Sequence, residues 1–173
     1  MRYISTRGEA ASLGFCDTLL VGLARDGGLH VPETWPTFSA SELKAMRGLS
    51  YADLAITVLS PFVGDEIKAA DFARMVRESY ACFRHDAVCP LVQTGASEFA
   101  LELFHGPTLA FKDVAMQLVA RLMDHVLSER GQRATVVWVF ERTGRTANVA
   151  LSREEEELQN LQSQLLQQQA IYK

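Results

Sequence analysis

Leu101–Met116 reads LELFHGPTLAFKDVAM, and the setting of Lys112 within it decides how the rest of the chain is read. Gly106 and Pro107 break regular structure ahead of the lysine. Leu109, Ala110 and Phe111 then form an apolar approach, expected to draw the ammonium toward the interior. Burial lowers a lysine's pKa, and a partly desolvated amine at neutral pH is a nucleophile toward carbonyl carbon. An F-K-D triplet taken alone also suits an ordinary lysine at a helix start, its stem lying over apolar neighbours.

Upstream of this stretch the period changes from helical to extended. Cys89, Leu91 and Val92, a turn at Gly95-Ala96-Ser97, and Phe99–Phe104 predict a hairpin that feeds into Gly106-Pro107. Lys112 thereby falls just past a strand end, where α/β enzymes place reactive groups. Downstream, a helix is expected from Asp113 to Arg130 with Gly131 as its cap. Its apolar residues cover more than one face, which predicts burial on both sides. Ala134–Val139 is rich in β-branched residues and reads as a strand of a buried parallel sheet. Strand, lysine, helix and strand make one α/β crossover unit.

Nearer the amino terminus, a strand is expected at Arg2–Ser5 and a helix at Phe15–Arg25, ended by Asp26-Gly27-Gly28. That turn delivers Leu29-His30-Val31 as a strand stopping at Pro32. Ser39 and Glu42 form a capping box for a helix through Met46. A second helix spans Ser50–Phe62, closed by Pro61 and Gly64, and a third runs from Ala69 to Phe83 with Phe72, Met75, Val76 and Tyr80 on one stripe. None of the three carries clustered acids, bases or thiols, so they read as scaffold.

Composition narrows the classes. The chain has 173 residues, 48% hydrophobic and 22% charged, with net charge −4, enough for one soluble globular core. Its basic residues are scattered among more numerous acids, which argues against a nucleic-acid partner. Arg2, Arg7 and Glu9 interrupt any signal-peptide core and no long apolar run spans a bilayer, so a cytoplasmic location without membrane contact is expected. Cys16, Cys82 and Cys89 have no paired spacing and read as reduced, mostly buried thiols. His30, His85, His105 and His125 form no i, i+4 pair, so no metal site is expected.

Glu102, Thr108 and the run Ala110 to Met116 resemble the lysine signature of the serine/threonine dehydratase and threonine synthase group, and HGPTLAFKD resembles threonine synthase in particular. The opening MRYISTRG, the segment DGGLHVPE at Asp26–Glu33, and Arg84, His85 and Pro90-Leu91 extend the likeness over residues 1–137. The resemblance implies a helical amino-terminal region at 1–87. It further implies, at 88–140, an incomplete α/β domain binding pyridoxal phosphate in the fold shared with the tryptophan synthase β family. It makes Lys112 both the catalytic residue and the cofactor-binding residue, holding pyridoxal 5'-phosphate as a Schiff base. The implied reaction is that of a lyase, which expels phosphate from O-phosphohomoserine and adds water to give threonine. Phe111 reads as cofactor-side packing and Asp113 as a helix first-turn acid.

After Val137 the likeness stops. The family continues into a small-residue loop whose backbone amides cradle the cofactor phosphate. Here Thr143-Gly144-Arg145-Thr146 has a single glycine and bulky Phe140, Glu141 and Arg142 before it. The tail, 141–173, opens a helix from Ser152, with Glu155 completing a second capping box. Leu151, Leu158, Leu165 and Tyr172 recur at heptad spacing, which offers self-association through 151–172 or a solvated helix. Three readings follow: a threonine synthase polypeptide with its Schiff-base lysine, a truncated or fused remnant without catalysis, and an interaction module acting through the tail.

Overall fold

The computed structural model describes residues 1–134. In chain order the elements are β1 (Tyr3–Ser5), α1 (Phe15–Val21), β2 (His30–Pro32), α2 (Ala40–Ala45), α3 (Tyr51–Val63), α4 (Ala69–Tyr80), β3 (Leu91–Gln93), β4 (Phe99–Leu101) and α5 (Asp113–Glu129). The strand expected from Ala134 lies, beyond its first residue, outside the described residues. So do the loop around Gly144 and the helix from Ser152.

Helices α3, α4 and α5 pack in sequence, with α1 against α3 and α5. The stripe read from the sequence is the centre of this layer: Phe72, Met75, Val76 and Tyr80 are all buried. Val63, Ile67, Val88, Leu118, Leu122 and Val126 close around them, with Cys16 from α1. Leu118, Leu122 and Val126 recur every fourth residue and so stay on one face of α5. Burial of α5 on both sides is not what the structure shows. Among the described residues only α4 and α1 pack on it closely, and Val114, Met116, Val119, Met123 and Leu127 remain half-buried.

Two antiparallel two-stranded sheets flank the helices, β1 with β2 and β3 with β4. The first is tied to the core by the Tyr3 hydroxyl, which donates to the Phe62 carbonyl at 2.7 Å. Helix α1 starts at Gly14, which has no capping side chain. The Glu66 carboxylate substitutes from a distance, accepting from the amides of Phe15 at 2.6 Å and Cys16 at 3.1 Å.

Several ends differ from the sequence reading. Helix α1 stops at Val21 instead of Arg25, because Gly22 turns to φ +72° and reverses the chain. Pro61 lies inside α3, and Gly64 alone closes it, donating to the Ser60 carbonyl. Helix α4 ends at Tyr80, short of Phe83. Cys82 is exposed, whereas Cys16 is buried as expected. The capping box at Ser39 and Glu42 forms in both directions.

Asp26 organises the amino-terminal turn. Its carboxylate accepts from the Ser5 hydroxyl at 2.7 Å and from the amides of Glu9, Ala10 and Gly28. These donors, the Ser5 hydroxyl foremost and the Gly28 amide next, hold its pKa at about 2, below the ordinary 3.8. A depressed folded-state value means the contribution is present above pH 3.8 and is lost as pH falls toward 2. Asp26→Asn should therefore lower the melting midpoint at pH 7 and flatten its decline over this acid window, as thermal unfolding at a series of pH values would record.

Candidate functional site

The hairpin forms in the expected place, with Leu91 opposite Leu101 and Gln93 opposite Phe99. Its turn is closed by the Thr94 and Gly95 amides, both donating to the Glu98 carbonyl. Every residue of both strands is exposed. From β4 the chain runs through Glu102 to His105 and enters the turn that carries Lys112.

That turn is compact. The Leu109 amide donates back to the Gly106 carbonyl at 3.2 Å, and Leu109 takes φ +62°, unusual for a branched side chain. Gly106 is buried, and a Cβ there would overlap the Asp113 side chain. The Asp113 carboxylate accepts from the Thr108 amide and from the Thr108 hydroxyl, both at 2.8 Å. Asp113 is 4% exposed, so both hydrogen bonds are sheltered from water. Gly106, Thr108 and Asp113 thus make one clamp, and Lys112 is the residue held beside it at the start of α5.

The other mouth of the turn has its own anchor. His105 Nε2 lies 2.7 Å from Glu102 Oε2, and the His105 carbonyl accepts from the Arg84 amide at 2.9 Å. The imidazole rings of His85 and His105 pack with centroids 5.1 Å apart, and Phe104 flanks His105 on another side.

Lys112 itself is exposed, which corrects the expectation of an interior amine. The positive φ at Leu109 turns the apolar approach outward: Leu109 is 51% and Phe111 65% exposed, so neither encloses the ammonium. Its amine has no hydrogen-bond or ion-pair partner among the described residues. The site is an unpaired amine on a rigid turn beside an apolar surface. The sequence singled out Lys112 and read Asp113 as a helix first-turn acid, which it is, but missed that its side chain faces back to Thr108. The signal available was the Gly106 and Thr108 pair before a helix whose first acid had no capping partner.

Comparison with known proteins fits this geometry. The family described as Threonine synthase N terminus matches residues 2–80. Threonine synthase of Pseudomonas aeruginosa is 56% identical over 137 residues, 79% of this chain. The matched part of the chain is a threonine synthase amino-terminal segment. A crystal structure of PLP-bound threonine synthase from Brucella melitensis is 68% identical, covers 77% of this chain and superposes with a TM-score of 0.75. The yeast threonine synthase structure covers 75% of the chain at 40% identity, with a TM-score of 0.69. The helices and small sheets described above are therefore the architecture with which these threonine synthases begin. The chain spans less than a third of their length, 29% of the Pseudomonas protein and 29% of the Brucella one.

Proposed function

We propose that this chain supplies the cofactor-attaching lysine of a pyridoxal-phosphate-dependent threonine synthase. That cytoplasmic enzyme converts O-phosphohomoserine and water into threonine and phosphate. The observation that carries the reading is Lys112, exposed and unpartnered among the described residues at the end of a clamped turn, in a chain 68% identical over 77% of its length to a PLP-bound relative. The residues present fit the cofactor: the amine is open to an aldehyde, and Leu109 and Phe111 beside it offer apolar surface to an aromatic ring. When bound, the cofactor supplies an electron sink for carbanion chemistry. Lys112 would hold it through Nζ, and the same amine would accept and return protons at that position. Asp113 and Thr108 keep the Lys112 backbone from drifting while this happens.

In this reading residues 88–140 begin the cofactor domain of the fold shared with tryptophan synthase β, and residues 1–87 precede it as a mostly helical region. The exposed Leu91, Phe99, Leu101 and Phe104 belong to surface that the further length of such an enzyme covers. The same exposed hairpin favours a second reading, in which the chain retains the lysine of its lineage without turning over substrate. A titration of the purified chain with pyridoxal phosphate, followed by visible absorbance, tests the proposal. A saturable band that Lys112→Ala abolishes is expected, with slow phosphate release from O-phosphohomoserine that the same substitution removes. A band indifferent to Lys112 contradicts attachment there, and a band without phosphate release favours the second reading.

A further inference from the structure

We propose that Glu102 and His105 are a positioning pair for Lys112, fixing the near end of the turn whose far end Asp113 holds. The inference rests on the cofactor-attachment reading for its consequence, although the geometry stands by itself. A hairpin exposed on both faces has little packing to set its direction against the helical layer. What sets it is the exit from β4. The Glu102 amide extends the ladder by donating to the Pro90 carbonyl at 3.0 Å, and the Glu102 carboxylate then holds the His105 ring at 2.7 Å. His105 is in turn tied to the segment that follows α4, through the Arg84 amide and the face of His85. The pair is partly sheltered, 28% exposed at Glu102 and 18% at His105, so water competes weakly for the bond.

Gly106 comes immediately after His105 and must lie under Asp113 without a Cβ in the way. A rotation of His105 about its backbone therefore moves Gly106, opens the Gly106–Leu109 hydrogen bond and swings Lys112. Among the described residues neither Glu102 nor His105 makes a hydrogen bond or ion pair with the lysine amine. Their action runs through the turn.

The test compares wild type, Glu102→Ala and Glu102→Gln, with circular dichroism melts to verify folding. Borohydride trapping of pyridoxal phosphate at subsaturating concentration gives the yield at Lys112 relative to Lys44 and Lys68, both exposed. Hydrogen exchange at the Thr108 and Leu109 amides is read in parallel and needs no cofactor. Glu102→Ala should reduce relative trapping at Lys112 and speed exchange at both amides by about three- to tenfold, the net weight of one partly exposed hydrogen bond. Glu102→Gln, whose amide oxygen still accepts from the ring N–H, should restore both to within about twofold. Trapping and exchange unchanged in Glu102→Ala overturn the pair's role, as does a loss of order spread equally over the chain. If wild-type protein shows no preference for Lys112, the cofactor reading fails instead, and exchange alone decides the positioning proposal.

Discussion

Phe72→Ala is expected to destabilise the chain by about 3–5 kcal/mol, the largest loss from any single truncation in the helical layer. Phe72 is 2% exposed and belongs to the buried stripe of α4 that faces both α3 and α5. Removing its ring leaves a cavity in the core cluster that Phe72 shares with the equally buried Met75 and Val76. Collapse around that cavity is limited because the cluster is close-packed on every side that α3, α4 and α5 supply. Thermal unfolding should show a midpoint lower by about 10 °C. A shift no larger than that of an exposed control such as Leu43→Ala would contradict the packing described.

The second large effect is expected at Asp113. Its replacement by alanine leaves the Thr108 amide and hydroxyl without their acceptor in a sheltered position, a loss of about 2 kcal/mol. It also frees the segment from Gly106 to Lys112. Asp113→Asn keeps one acceptor oxygen and should fall between wild type and alanine. The two variants are separated by proteolysis, since a released turn at Leu109–Phe111 presents an exposed cleavage site while the helices stay folded. Equal resistance in all three proteins would show that the clamp does not hold the turn.

Much of this architecture could be read from residues alone, where one local rule dominated. The Ser39 and Glu42 pair, the α4 stripe and the hairpin turn each satisfy a strong short-range pattern that tertiary structure did not overrule. The end of α1 was less legible because Leu23 continues the apolar period while Gly22 breaks the backbone, and backbone geometry prevailed. Pro61 misled in the opposite sense. A proline near the end of a helix forfeits little, and α3 passes through it to Val63. Glu66 capping α1 from far along the chain has no local pattern and could not be anticipated.

At the candidate site the residue type was legible and its environment was not. The apolar run before Lys112 suggested enclosure, but enclosure depends on what packs over Leu109 and Phe111, and among the described residues nothing does. The roles of Asp113, Thr108, Glu102 and His105 arise from contacts across the turn. The Thr108–Asp113 contact brackets the positive φ at Leu109, a feature that no propensity favours for leucine.

The most direct test of the central claim is reductive trapping of pyridoxal phosphate on the purified chain, followed by peptide mass mapping across its lysines, Lys44, Lys68, Lys112 and Lys173. The adduct is expected to accumulate on the peptide bearing Lys112, to saturate with cofactor and to be absent from Lys112→Ala. Labelling spread over all the lysines in proportion to cofactor, with no saturation at Lys112, would contradict it.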